Sequence, residues 1–203
     1  LEATPQMNLK RFMKEANWPM VFYLSLTHLF GLWALAYVFE AKWQTLLGFF
    51  VWFWISGLGI TGGAHRLWAH RSYTASFPVR LFLMLCNCCA NQGSIFHWAR
   101  DHRIHHKFSE TAADPHDASR GFFYAHVGWL LLKKSDSVKA AGRKLDLSDL
   151  LEDPVVVFQD KLDPWINLFM CFVVPTLSGV YGWGEDPWIA FLIMGAARYI
   201  TIL

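Results

Sequence analysis

The chain has 203 residues, 54% of them hydrophobic and 17% aromatic, and its formal net charge is +2. The apolar residues occur in long blocks, a distribution that does not suit a soluble domain. So small a charge, without a basic patch interleaved with aromatic residues, gives no indication of nucleic-acid binding. The cysteines lie in apolar runs without the spacing of a zinc site, so we expect them to be reduced core residues: Cys86, Cys88, Cys89 and Cys171.

A first hydrophobic hairpin is predicted over residues 18–64. Residues 18–39 carry no formal charge unless His28 is protonated, and residues 43–64 carry none. A helix of about 22 residues is roughly 33 Å long, which is enough to cross a hydrocarbon core of about 30 Å. Both runs begin with Trp, a common interfacial anchor. We therefore predict two transmembrane helices here, after an N-terminal tail of residues 1–17.

The next apolar run, residues 78–99, is apolar enough to be considered as a further span. Asn87 and Asn91 fall at i and i+4, with Gln92 beside them, and such a polar stripe is costly in lipid. A span here would also put the two histidine clusters described below on opposite sides of the membrane. We predict a buried or interfacial helix.

A second hairpin is predicted over residues 165–203. Residues 165–183 form one apolar run, and the acidic turn "GEDP" separates it from another at residues 187–203. Arg198 lies inside the last run and would cost about 2.5–3.5 kcal/mol at the centre of a bilayer. We expect it to lie near an interface or to face the protein interior.

Charge orients these hairpins. Most of the 18 Lys and Arg residues lie in the N-terminal tail or between the hairpins, so the positive-inside rule places the tail and residues 65–164 in the cytosol. The predicted fold class is an all-α membrane protein with two transmembrane helical hairpins and a cytosolic helical cap. The predicted segments are the tail (1–17), the first hairpin (18–64), the cap (65–164) and the second hairpin (165–203).

Five histidines form two clusters in the predicted cap. His102, His105 and His106 occupy positions i, i+3 and i+4, which share one face of a helix. His65 and His70 are five apart and cannot converge on a straight α-helix without local unwinding. Imidazole suits Zn, Cu, Fe and Ni, so the donors alone do not identify the metal. Five nitrogen ligands exceed the four of a structural zinc site, which favours more than one ion or open coordination positions.

Residues near the two clusters, and histidines outside them, also bear on this metal hypothesis. A histidine that binds metal needs a carboxylate or carbonyl partner on its other ring nitrogen. Four carboxylates flank the second cluster and are candidates for this role: Asp101, Glu110, Asp114 and Asp117. Three isolated histidines have no such context, and we interpret them as structural: His28, His97 and His126.

The two motifs, "HRLWAH" at residues 65–70 and "WARDHRIHHKFSETAADPHDASRGFFYAHVGWLL" at residues 98–131, closely resemble the stearoyl-CoA type of membrane acyl-CoA desaturase. The resemblance extends from about residue 43 to residue 203. It implies two iron ions, a di-iron centre, with O2 as co-substrate. The family's third histidine box is absent, so we expect this chain to be a fragment that does not turn over alone. The implied iron ligands are His65, His70, His102, His105 and His106.

The resemblance also implies a substrate and partners. It predicts O2-dependent formation of a cis double bond in a fatty acyl-CoA, with delta-9 as the default position. Electrons would come from cytochrome b5, and the protein would lie in the endoplasmic reticulum membrane among membrane lipids. Residues 133–144 are rich in Lys and Arg, which by itself would attract phosphates. The implied substrate contacts are Trp98, Arg100, Asp101, Lys133 and Lys134.

Two alternatives remain open from the residues. A hydroxylase of alkanes or sterols uses the same histidine chemistry, and only the flanks "HRLW" and "ADPH" favour the desaturase. A membrane metal carrier or zinc sensor is the alternative that is not an enzyme. Such a carrier would place its ligands inside a span, along a pathway.

Overall fold

The computed structural model describes residues 9–203, and these are predominantly helical. The all-α prediction is confirmed, since the only strand-like pairing in this described range is an isolated bridge between Ala16 and Leu132. Three helices are long and apolar enough to cross a membrane. They are Trp18–Tyr37, Trp43–Ala69 and Trp165–Trp183.

Within the described residues, the first half of the chain contains five α-helices. The second of them continues as a 3-10 turn at Ala34–Tyr37, and the third continues as a π-helix at Gly59–Ala69. The five are α1 (Leu9–Glu15), α2 (Trp18–Trp33), α3 (Trp43–Leu58), α4 (Phe77–Ala90) and α5 (Ile95–Phe108).

The second half begins with short turns at Ala118–Arg120 and Tyr124–Gly128. π-helical segments at Phe169–Val173 and Phe191–Ala197 interrupt its later helices. The helices are α6 (Asp136–Gly142), α7 (Ser148–Glu152), α8 (Pro154–Leu162), α9 (Trp165–Leu168), α10 (Val174–Trp183), α11 (Pro187–Ala190) and α12 (Arg198–Ile202).

The helix that begins at Trp43 extends beyond residue 64, where the predicted span ends, and reaches Ala69. Its 27 residues correspond to about 40 Å at 1.5 Å per residue, longer than a hydrocarbon core of about 30 Å. The surplus is long enough for its last turns to lie outside such a core. His65 lies on those last turns.

Helix α4 covers most of the run at residues 78–99. Its 14 residues correspond to about 21 Å, shorter than a hydrocarbon core of about 30 Å, so its length agrees with the prediction of a buried or interfacial helix. It ends where Asn91 adopts a left-handed conformation, with φ of 49°. Close contact with the preceding helix requires glycine, because a Cβ on Gly59 would lie 2.1 Å from the backbone nitrogen of Asn87.

The described residues divide into two compact units, residues 9–25 with Ile104–Leu145, and Leu26–Arg103 with Asp146–Leu203. In the first unit, backbone hydrogen bonds join the end of α1 to the segment around Leu132: Asn17 donates to Leu131, and Lys133 donates to Glu15, both at 2.8 Å. The second unit holds two apolar cores. One includes Trp68, Met84 and Ile95, and the other includes Leu192 and Met194.

Arg198 is completely buried in the second unit, so it faces the protein interior as predicted. Its guanidinium donates to Met194 O, Ser56 Oγ, Cys89 O and Cys171 O at 2.6–3.0 Å. These acceptors lie on α3, on α4 and on the two π-helical segments of the C-terminal helices, so one side chain links four helical segments. The four cysteines are free and buried, which confirms that they are core residues.

Candidate metal centre

The first histidine pair lies where the second apolar helix ends in the π-helix Gly59–Ala69. The backbone N–H of His70 donates to the carbonyl of His65 at 2.9 Å, an i→i+5 bond. Residues five apart therefore come to lie one turn apart, and the two rings approach to 4.5 Å between centroids. π turns of this kind occur frequently at functional sites. This winding removes the conflict between five-residue spacing and a straight α-helix.

Helix α5 brings a third imidazole to this pair. The ring of His102 lies 4.7 Å from that of His65 and 5.1 Å from that of His70. His70 Nε2 and His102 Nε2 are 3.1 Å apart. The ligand atoms of the three histidines lie within 4.8 Å of one another, and their rings are almost perpendicular, at 77–86°. The three ring nitrogen atoms thus lie close enough to one another to bind a common metal ion.

Trp98 supports His102 from one turn earlier on α5. The two rings stack at 4.8 Å with an interplanar angle of 26°. Trp98 Nε1 donates to Gln92 Oε1 at 3.1 Å, and Gln92 Nε2 donates to the carbonyl of Ile202 at 2.8 Å. The orientation of the indole is therefore determined on both sides, next to a candidate ligand.

His105, one turn after His102 on α5, belongs to a second group. His105 Nδ1 lies 2.9 Å from Asp114 Oδ1, and the ring of His116 lies 4.2 Å from that of His105. These three side chains bring potential ligand atoms within 4.8 Å of one another. His106 follows His102 by one turn of the helix, and its ring lies 5.5 Å from that of His105.

The carboxylate of Asp114 is completely buried and accepts three hydrogen bonds. Besides the contact with His105, the backbone N–H groups of Glu110 and His116 donate to it at 3.0 and 3.1 Å. Burial by itself raises the pKa of Asp114, but these hydrogen bonds outweigh it and hold the pKa below its usual value. Since Asp114 is therefore ionised at neutral pH, Nδ1 of His105 carries the shared proton and Nε2 is left to bind a metal.

Other candidate carboxylates have different partners. Asp101 forms an ion pair with Arg100 at 3.0 Å, and the two side chains are 12% and 23% exposed. Asp117 accepts from the N–H and the hydroxyl of Ser119 at 2.9 and 2.7 Å, which caps the short turn that follows. Asp114 is thus the flanking carboxylate whose bond to a clustered histidine defines that ring's tautomer.

The predicted basic pair lines a cavity of about 380 Å³ in the first unit. Three further cations also line this cavity, and sequence reasoning used them only as part of the overall charge bias. Lys133 Nζ donates to the carbonyl of Lys14 at 3.3 Å. Glu15 and Asp136 are the acids of the lining. The five cations of this basic cavity are Arg11, Lys14, Arg120, Lys133 and Lys134.

Sequence reasoning also missed His116 and Arg103. His116 stands in the "ADPH" motif already noted, two residues after Asp114, and this i, i+2 spacing across a turn was its available signal. Arg103 donates to the backbone carbonyls of Trp68 and Ala69, a contact that no periodicity in the sequence indicates.

The chemistry of these donors fits iron. Neutral imidazole is a ligand that iron accepts, and an ionised carboxylate on the second ring nitrogen is the usual partner of such a ligand. The convergence of His65, His70 and His102 supplies several nitrogen donors, and His105 supplies one whose Nε2 is directed by Asp114.

Comparison with known proteins identifies the family. No family model matches the chain. Stearoyl-CoA desaturase 5 of Bos taurus is 50% identical over 190 residues, 94% of this chain and 57% of that protein. Delta(9)-fatty-acid desaturase fat-7 of Caenorhabditis elegans is 55% identical over 167 residues, 82% of this chain and 49% of that protein.

A third relative extends the match. The Acyl-CoA Delta-9 desaturase of Acheta domesticus is 47% identical over 199 residues, 98% of this chain and 55% of that protein. The chain spans about half the length of the curated relatives it matches. With such identity across most of its length, the chain belongs to the stearoyl-CoA and delta-9 acyl-CoA desaturase family.

Proposed function

We propose that the chain is part of an acyl-CoA desaturase that introduces a cis double bond into a fatty acyl-CoA, by default at the delta-9 position. The observation that carries the proposal is the close approach of the ligand atoms of His65, His70 and His102 in a chain whose relatives are named as desaturases. The oxidant that removes hydrogen from an unactivated methylene must come from iron and O2, since no side chain supplies one.

In this proposal, the five histidines of the two clusters would supply ligands to two iron ions. The chain's own residues define the donors: the π turn aligns His65 with His70, Trp98 stacks on His102, and Asp114 orients His105. The reaction consumes one O2, two electrons and two protons, takes two hydrogen atoms from adjacent methylenes, and releases two molecules of water. Cytochrome b5 is the proposed electron donor.

The substrate's head group is assigned to the basic cavity. Its five cations outnumber its two acids, Glu15 and Asp136, and phosphate groups form strong hydrogen bonds with such cations. Arg100 and Asp101 are proposed as further contacts to the CoA portion, and Trp98 as a wall of the acyl tunnel. The membrane is that of the endoplasmic reticulum, with the N-terminal tail and the cap in the cytosol.

The proposal is tested by expressing the complete gene, of which this chain is a part, in yeast that lacks its own desaturase. The expected result is growth without added unsaturated fatty acid, with cis-monounsaturated acyl chains identified by gas chromatography. Hydroxylated products would favour the alternative of a histidine-type hydroxylase. Stable protein that contains zinc and no iron, and forms neither product, would favour a metal carrier or sensor.

Replacing Asp114 by Asn tests the role of this buried carboxylate. Asn has one side-chain oxygen, so it cannot accept from both His105 and the N–H of Glu110, as Asp114 does. Asn also lacks the negative charge that favours the proton on Nδ1 of His105, so the tautomer with the proton on Nε2, which blocks that ligand atom, becomes more accessible. We expect iron affinity to fall about 10–100-fold, as is typical when a ligand's hydrogen-bond partner is lost, measured as iron bound per folded protein.

Asp117→Asn is the matched control for Asp114→Asn. Asp117 is also a buried acid of the same loop, but its carboxylate accepts hydrogen bonds from Ser119. Iron binding is expected to remain at the wild-type level in this variant. Equal losses in both variants would show that the loop, and not the tautomer of His105, controls metal binding.

A further inference from the structure

The guanidinium of Arg103 uses all five of its N–H donors, although the side chain is only 10% exposed. Nε donates to Ala69 O at 3.2 Å, and Nη2 donates to Trp68 O at 2.7 Å and to Asp149 Oδ2 at 2.6 Å. Nη1 donates to Asp149 Oδ1 at 2.9 Å and to Asp146 O at 3.2 Å. A guanidinium offers five N–H donors in a rigid fork, so this set of contacts is complete.

Two of these acceptors are the carbonyls immediately before His70 in the chain. Ala69 is its direct neighbour, and Trp68 precedes that. Arg103 itself directly follows His102. The side chain therefore connects the backbone before His70 to the residue next to His102. The Nε2 atoms of these two histidines lie 3.1 Å apart.

Asp149, on α7, holds the other side of the guanidinium. Its two carboxylate oxygens accept from Nη1 and Nη2, the bidentate geometry that Arg and a carboxylate form in their strongest pairs. The hydrogen bond from Arg103 holds the pKa of Asp149 below its usual value, despite partial burial. The carboxylate thus stays charged and limits the rotation of the guanidinium.

We propose that Arg103 and Asp149 are positioning residues, which hold the backbone before His70 so that its ring faces His102. This inference rests on the proposed function and deepens it, since it identifies what aligns the two histidine motifs. Neither residue is a ligand. Their effect on a metal ion acts through the placement of His70.

The test uses Arg103→Lys and Asp149→Ala in the purified full chain. Lysine keeps the positive charge but replaces the planar fork by a point charge, so it cannot serve two carbonyls and a carboxylate together. The first readout is the affinity for Co²⁺, used as the probe metal. The second is hydrogen exchange of residues 65–72 in the metal-free protein, where His70 N–H bonds to His65 O and Ser72 N–H bonds to Arg66 O.

We expect Co²⁺ affinity to fall about 10–100-fold in both variants, with faster exchange confined to residues 65–72. Arg71→Met is the matched control. Arg71 approaches the same carboxylate, but only to 3.7 Å and with its side chain 61% exposed, so removing it is expected to change neither readout.

Other outcomes would overturn the inference. Wild-type affinity and exchange in both variants would show that Arg103 and Asp149 do not hold this segment. Faster exchange that extends through α4 would indicate general destabilisation rather than positioning. If the wild-type chain bound no metal, the proposed function would fail, whereas the exchange data would still decide whether the pair holds the backbone at His70.

Discussion

Replacing His102 by Ala is expected to abolish metal binding at the convergent histidines and, with it, the rescue of desaturase-deficient yeast. The ring lies within 4.7–5.1 Å of both His65 and His70 and provides one of three nitrogen atoms close enough to one another to bind a common metal ion. Loss of a ligand removes more than the about 10–100-fold in affinity that a ligand's hydrogen-bond partner contributes. Iron per folded protein and the fatty-acid profile measure the two effects.

His97→Ala is the control for His102→Ala. It removes the same type of side chain from the same helix, α5, at an exposed position outside both groups of potential metal ligands. Iron content and rescue are expected to match the wild type. Continued rescue by the His102→Ala variant would remove His102 from the ligand set and contradict the proposed site.

Replacing Arg198 by Met is expected to lower the free energy of unfolding by about 3 kcal/mol or more. Ser56 Oγ, Cys89 O and Cys171 O would lose a buried donor, and each such loss costs about 1–3 kcal/mol. Methionine fills part of the volume but donates no hydrogen bond. The change is measured by unfolding titration of the purified protein in detergent micelles.

Two further variants test whether the loss of stability comes from the guanidinium's hydrogen bonds between helices. Arg198→Lys keeps a buried charge but has no fork to serve acceptors on separate helices, so we expect it to destabilise at least as much as Met. Thr201→Val is the control, since Thr201 Oγ1 donates only to the carbonyl of Arg198 within its own helix. A wild-type unfolding midpoint for Arg198→Met would contradict the role of the guanidinium as a link between helices.

Much of the fold could be predicted because the bilayer imposes a simple requirement. A span must be apolar and about 20 residues long, and runs of that kind are visible in the sequence. The predicted third span, residues 165–183, coincides with the helix Trp165–Trp183. The last run was predicted as the start of a fourth, truncated span, and Pro187–Ile202 falls among the shorter apolar helices. The placement of the segments relative to the membrane stays a prediction.

The candidate site was only partly predictable. Histidine spacing indicated metal chemistry, because i, i+3 and i+4 positions share a helical face. The same rule could not bring His65 and His70 together, since it assumes α-helical winding and the structure uses an i→i+5 turn. His116 was missed because its partner Asp114 and its ring contact with His105 depend on the path of a turn.

The sequence by itself determined the class of protein, the spans and the identity of the clustered histidines, because apolar length and ligand type are properties of local composition. Only the tertiary structure decided how those ligands are held. Arg103 donates hydrogen bonds to backbone carbonyls more than 30 positions earlier in the chain, and its partner Asp149 lies 46 positions after it. Every residue has a backbone carbonyl, so a carbonyl that accepts a hydrogen bond cannot be recognised from the residue type.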